Sequence, residues 1–170
     1  MTTTTITHTV IETPIGELTL VADGDALSGI YFPGHWTRPD RAGFGGRDDA
    51  ALADVRRQLD EYFAGTRTAF DVPTTADGDA FQRRVWELID RIPYGRTTTY
   101  GEIARELGEP GMAREVGAAV GANPLAIVRP CHRVVGRDGR LVGYAGGLKR
   151  KQFLLSLETG RAGWPSDRLF

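Results

Sequence analysis

The chain of 170 residues contains a single cysteine, Cys131, so it can form no internal disulfide and asks for no oxidising compartment. Its three histidines, His8, His35 and His132, stand far apart, and with one thiol they offer no metal-ligand spacing. No apolar run approaches the length that spans a bilayer. The opening residues MTTTTITHTV lack a basic stretch followed by an apolar one, so no signal peptide is predicted. These absences predict a soluble, cytoplasmic, metal-free protein that does not span a membrane. Excess charge is missing too: the formal net is -1, which by itself favours no polyanionic partner. That near-neutrality hides an asymmetry. Residues 1–79 hold six Lys/Arg against 13 Asp/Glu, whereas residues 80–170 hold 15 against nine. A nucleic-acid contact, if there is one, belongs to the second half.

What is present reads as an α+β chain, long enough for one domain or two small ones. ITHTVIET (6–13) and GELTLVADG (16–24) have the β-branched, apolar composition of strands, with a Pro-Ile-Gly turn between them. ALSGIYF (26–32) is a third strand, and TAFDVP (68–73) is read as one more. Residues 33–46 are rich in Gly, Pro, Arg and Asp and read as a loop. Leu52, Val55, Leu59 and Phe63 then recur at helical spacing up to Gly65. The expectation is a small α/β domain with an antiparallel sheet over 1–78, a linker at TTADGD (74–79), and a mainly helical domain over 79–170. In the second domain Asp79 caps a helix through Phe81, Val85, Leu88, Ile89 and Ile92. TTTYGEIARELG and MAREVGAAVGANP, separated by EPG, form a helix-turn-helix candidate, a pattern that any αα-hairpin also produces. The last helix, LKRKQFLLSLE, carries apolar Phe153, Leu154 and Leu157.

Two segments call for more than packing. Gly117, Ala118, Ala119, Gly121 and Ala122 give one helix an almost uniformly small face, although a helical glycine costs about 1 kcal/mol relative to alanine. Such a face admits another backbone, either a neighbouring helix or a nucleic-acid groove. The second segment is AIVRPCHRVVG (126–136). A free cysteine is ordinarily inert core material. Here Pro130 stiffens the backbone before it, and Arg129, His132 and Arg133 surround it with the positive charge and base that favour a thiolate. Adjacent side chains on extended backbone point apart, so His132 reaches the sulfur only through a turn or a bridging water. Such a relay needs a third group on the imidazole, normally a carboxylate. Glu158 is one candidate that spacing alone does not single out.

Taken together, FQRRVWELI (81–89), TTTYGEIA (97–104), GANP (121–124), PCHRVV (130–135) and GYAGGLKRKQFLLSLE (143–158) resemble the O6-alkylguanine-DNA alkyltransferases, also called methylated-DNA–protein-cysteine methyltransferases. The resemblance is specific over residues 80–160 and only general before them. It implies direct DNA repair, in which Cys131 takes the alkyl group from O6-alkylguanine, and from O4-alkylthymine, irreversibly and once per chain. His132 would act through a water, Glu158 would orient the imidazole, and Asn123 would hold the active-site turn. Tyr100 would touch the target phosphate and help protonate the leaving guanine. Arg114 would fill the gap left by a flipped base, Gly117 and Ala118 would lie in the minor groove, and Tyr144 would line the base pocket. Gln82, Gly101 and Arg137 fall where family members meet the DNA backbone. The resemblance implies no metal or organic cofactor, and its implied partner is double-stranded DNA containing the lesion, with no obligate protein partner; cooperative assembly along DNA stays open.

Two residues depart from the common family pattern: Ala126 stands where many relatives have proline, and Ala145 where many have serine. Altered response to bulky O6 adducts such as O6-benzylguanine is therefore expected. Two other readings are consistent with the residues. A cysteine hydrolase would turn over, and a non-catalytic helix-turn-helix module would not need Cys131 at all.

Overall fold

A computed structural model describes residues 5–35 and 41–160. Residues 36–40 of the expected loop and the outer ends of both expected domains lie outside that range.

The three strands fall where their composition puts them, as β1 (Ile6–Thr13), β2 (Gly16–Asp23) and β3 (Ala26–Tyr31). They form an antiparallel meander in which Thr13 pairs with Gly16 across the tight turn. The sheet is not wholly antiparallel, however. The segment read as loop contains a 3-10 helix at Arg41–Phe44 and a two-residue strand β4 (Gly46–Arg47), which lies parallel to β1. So short a strand has no periodicity to detect.

Helix α1 (Ala53–Phe63) buries Val55, Leu59 and Tyr62, with Phe63 only partly covered. The expected strand at 68–73 does not form. Its backbone at Asp71 is instead satisfied by the buried side chain of Gln58. The Gln58 amide donates to the Asp71 carbonyl at 3.0 Å and accepts from its N–H at 2.9 Å. One glutamine makes the pair of bonds a neighbouring strand would supply. The linker is not free either, because Thr74 bridges to Leu27 on β3.

In the second half, α2 (Ala80–Asp90) starts with a full capping box: Asp79 accepts from Gln82 N–H at 2.8 Å and Gln82 returns the bond at 3.0 Å. Helix α3 (Tyr100–Glu106) is capped by Thr99, and α4 (Ala113–Gly121) packs against both α2 and α3. Two very short strands, β5 (Thr98–Thr99) and β6 (Val134–Val135), pair in parallel. They tie the start of α3 to the segment just after Cys131.

Helix α5 (Leu148–Thr159) turns a different face inward from the one its apolar residues suggest. Lys151, Leu154, Leu155 and Glu158 are buried, and Phe153 is 38% exposed. The buried stripe has helical spacing, but its two ends are ionisable. One hydrophobic core runs through both halves, joined by the pairing of Ile30 with Leu125. Phe32 lies so close to Gly146 that a Cβ there would sit 2.6 Å from its ring.

Candidate active site

Asn123 organises the turn that leads to the thiol. Its Oδ1 accepts from Leu125 N–H at 3.0 Å and its Nδ2 donates to the Arg129 carbonyl at 3.1 Å. Between these anchors Ile127 is held at φ 72°, a left-handed conformation that a β-branched residue adopts only when its surroundings enforce it. Cys131, His132 and Arg133 then form one turn of 3-10 helix. The turn is short of a direct thiol–imidazole contact in its hydrogen-bond pattern: the imidazole points instead toward α5. His132 Nε2 meets Glu158 Oε2 at 2.7 Å, with both side chains fully buried.

Glu158 also receives Arg133, through Nε to Oε1 at 2.7 Å and Nη2 to Oε2 at 3.0 Å, and the Tyr62 hydroxyl at 2.6 Å. Burial opposes its charge, but the hydrogen bonds and charges of His132 and Arg133 prevail and bring it down to about 2. Burial pushes His132 below the usual imidazole range, against the pull of Glu158. The imidazole is therefore neutral near pH 7. Its Nε2–H serves the carboxylate, which leaves Nδ1 as the basic atom. That Nδ1 is buried and has no hydrogen-bond partner in the protein. Burial likewise raises the Cys131 thiol, with Asn123, Lys151 and Arg129 working the other way. The resting thiol is protonated and needs a base at the moment it reacts.

Cys131 opens onto a cavity of about 460 Å³. Tyr100, Arg114, Gly117, Asn123 and Tyr144 line it together with Cys131, and so do Ala126 and Ala145. Tyr100 donates to the Val142 carbonyl at 3.1 Å, and burial, with the Cys131 charge second, raises its hydroxyl to about 12. The buried Tyr144 hydroxyl has no partner in the protein, and burial raises it well above the usual phenol range. His132 and Glu158 lie behind this cavity rather than in its wall. Ala118 and Arg114 are exposed on α4.

The small face of α4 is divided: Ala119 packs inward against α2, whereas Ala118 is exposed. Val116, Ala119 and Val120 make the buried side, where Trp86 donates to the Ala119 carbonyl at 2.9 Å. A Cβ on Gly117 would meet the Tyr100 ring at 3.7 Å, an ordinary contact, so the folded chain alone does not require glycine there. Gly101 is similar, with 3.9 Å to Thr99 Oγ1. Besides Ala118, three further expected residues stand away from the cavity wall. Gln82 is engaged in the α2 cap, Gly101 is in the first turn of α3, and Arg137 is exposed on a 3-10 turn after β6.

Sequence reasoning missed Lys151, Tyr62 and His35. Lys151 is buried and donates to the Val134 carbonyl at 2.6 Å and to Gly143 at 3.2 Å; burial lowers its ammonium to about 8, against the Cys131 charge. His35 reaches the cavity wall from the first half of the chain. Tyr62 follows Val55 and Leu59 at helical spacing, the one signal that marked it as internal, but nothing marked its hydroxyl. Among the described residues no cluster of three His, Cys, Asp or Glu is arranged to hold a metal, and no helix is long and apolar enough to cross a membrane.

The chain matches two family models: the 6-O-methylguanine DNA methyltransferase DNA-binding domain over residues 80–160, and the ribonuclease-like domain of the same proteins over residues 6–76. It is 48% identical to the methylated-DNA–protein-cysteine methyltransferase of Mycobacterium tuberculosis, over 95% of this chain and 96% of that one. A protein of the same name from Methanosarcina acetivorans is 42% identical, over 89% and 97% respectively. The crystal structure of Mycobacterium tuberculosis OGT in complex with DNA superposes with a TM-score of 0.85 and 45% identity, covering 95% of this chain and 97% of that one. The chain belongs to the 6-O-methylguanine DNA methyltransferase family.

Proposed function

We propose that this protein repairs alkylated DNA by moving the alkyl group from O6 of guanine, and from O4 of thymine, to Cys131. The observation that carries this reading is the buried thiol at a cavity wall, backed by a neutral imidazole whose free nitrogen can accept a proton. His132 Nδ1 takes the Cys131 proton through a bridging water while Glu158 stabilises the imidazolium that forms. The thiolate attacks the alkyl carbon, the carbon–oxygen bond breaks, and its electron pair leaves with guanine. Tyr100, still protonated near pH 7, supplies a proton to the departing base. Tyr144 lines the base pocket. Lys151 and Arg129 favour the thiolate electrostatically. The product is a thioether that nothing in the site can cleave, so each chain acts once.

A stacked base is beyond reach of a side chain, so the nucleotide rotates into the cavity. Helices α3 and α4 act as the helix-turn-helix. The small face of α4, at Gly117 and Ala118, enters the minor groove, with Arg114 filling the vacated stack. Gln82, Gly101 and Arg137 contact the DNA backbone. Residues 79–170 thus form the DNA-binding and transfer domain, and residues 1–78 the supporting one; the protein works in the cytoplasm without an obligate protein partner. A burst experiment with methylated duplex in excess tests this. One methyl lost per chain, with no further turnover, is expected. Continued release of free alkyl product would instead indicate a cysteine hydrolase.

A further inference from the structure

Glu158 is shared between the two halves of the chain. Three donors converge on its Oε2: His132 Nε2 at 2.7 Å, Arg133 Nη2 at 3.0 Å and the Tyr62 hydroxyl at 2.6 Å. A carboxylate oxygen has about two lone-pair sites, so these donors compete for the same electron density. Tyr62 comes from α1 and is fully buried. Its ring is fixed by Phe63, Phe70 and Tyr94, with centroids 5.3, 5.5 and 6.3 Å away. Burial and the neighbouring carboxylate hold its hydroxyl far above the range in which it could ionise, so it donates at every working pH.

We infer that Tyr62 is a positioning residue of the alkyl-transfer reaction: its hydroxyl draws on Glu158 Oε2 in competition with His132 and so limits how readily the imidazole holds a proton. The inference rests on the relay proposed above. A purely structural Tyr62 would fill the core and bridge the halves without touching that proton equilibrium. The effect has a definite sign. Without the hydroxyl, Oε2 serves two donors instead of three and holds the Nε2–H more strongly, which stabilises the imidazolium and raises the His132 pKa. The other groups facing the pair stay constant. Arg133 and Lys151 act on His132, and Arg133, Tyr94 and Tyr144 lie within electrostatic reach of Glu158.

The test is the single-turnover rate of methyl transfer from an O6-methylguanine duplex as a function of pH, measured for three full-length variants. Tyr62→Phe removes the hydroxyl and keeps the ring, and should move the acid limb upward by roughly half to one pH unit. A fluorotyrosine introduced at position 62 alone keeps the fold and donates more strongly, and should move the limb downward. It covers the case in which Tyr62→Phe does not fold. Limbs that superpose on the wild-type curve, whatever happens to thermal stability, would overturn the inference. His132→Gln separates the two layers. Slow transfer in that variant alongside superposed limbs removes only the role of Tyr62, whereas wild-type transfer removes the relay and the inference together.

Discussion

Residues 5–76 carry their ion pairs in solvent. Arg57 bridges Asp54 and Glu61 on the open face of α1, and Arg47 meets Asp49 with both side chains more than half exposed. Residues 80–160 also hold one at the surface, Arg129 with the half-exposed Asp90, but they enclose another. Glu158 and His132 are wholly enclosed, and Arg133 nearly so. Exposed pairs of the first kind contribute about 0–1 kcal/mol each. A buried ionic group rarely does better than apolar residues of the same volume, because desolvation offsets the attraction. Stability therefore explains the first arrangement and not the second. The second makes sense as chemistry: an ionised carboxylate fixes an imidazole as a base, and only a dry site lets that be decisive. The first half reaches this carboxylate through the buried Tyr62 hydroxyl.

Cys131→Ser should produce the largest effect that this contrast allows. Transfer should fall by about 10⁴-fold or below detection, while a gel-shift titration with methylated duplex shows binding retained. Loss of binding as well would mean that the turn, not the sulfur, had failed.

Glu158→Gln comes next and should strike both rate and fold. It leaves Arg133 buried without its counter-charge, a cost of about 3–5 kcal/mol readable by urea denaturation. It also releases the imidazole, which should slow transfer by about 10²–10⁴-fold. The same residue sets an acid limit on stability. Glu158 is depressed to about 2 in the folded state and titrates near 4.3 when unfolded. Its contribution is thus fully present above about pH 4.3 and is lost as pH falls toward 2. Denaturation across that window should show the wild type losing up to about 3 kcal/mol that the Gln variant does not lose.

Asn123→Ala removes both anchors of the 123–129 turn and should cost about 1–3 kcal/mol, with transfer slowed as Ile127 relaxes. Arg57→Ala closes the series from the other half. It should shift stability by no more than about 1 kcal/mol and leave the transfer rate unchanged. A large kinetic effect there would break the contrast between the halves.

Much of this was legible in the residues. The three strands rich in β-branched and apolar residues, the Asp79 cap and the Val85–Ile89 face follow from local pattern, and these formed as read. PCHR, with the blocks around it, pointed to Cys131, His132, Asn123, Tyr100, Arg114 and Tyr144, which the fold gathers around or just behind one cavity. The failures are physical ones. Gln58 replaced a strand partner with a side chain, so residues 68–73 stayed irregular despite their composition. The pairing of β5 with β6 is too short for any periodicity, yet it brings Tyr100 to the thiol. On α5, hydropathy favoured Phe153 over Lys151, because it cannot register a charge buried for a purpose. Tyr62 and Glu158 are 96 positions apart, and only tertiary packing joins them.

Intact-mass spectrometry after incubation with an O6-methylguanine duplex tests the central claim most directly. The account predicts a gain of one methylene's mass on nearly every chain, confined to the peptide bearing Cys131 and unchanged by longer incubation. An unmodified chain beside demethylated DNA, or a modification on any other residue, would contradict it.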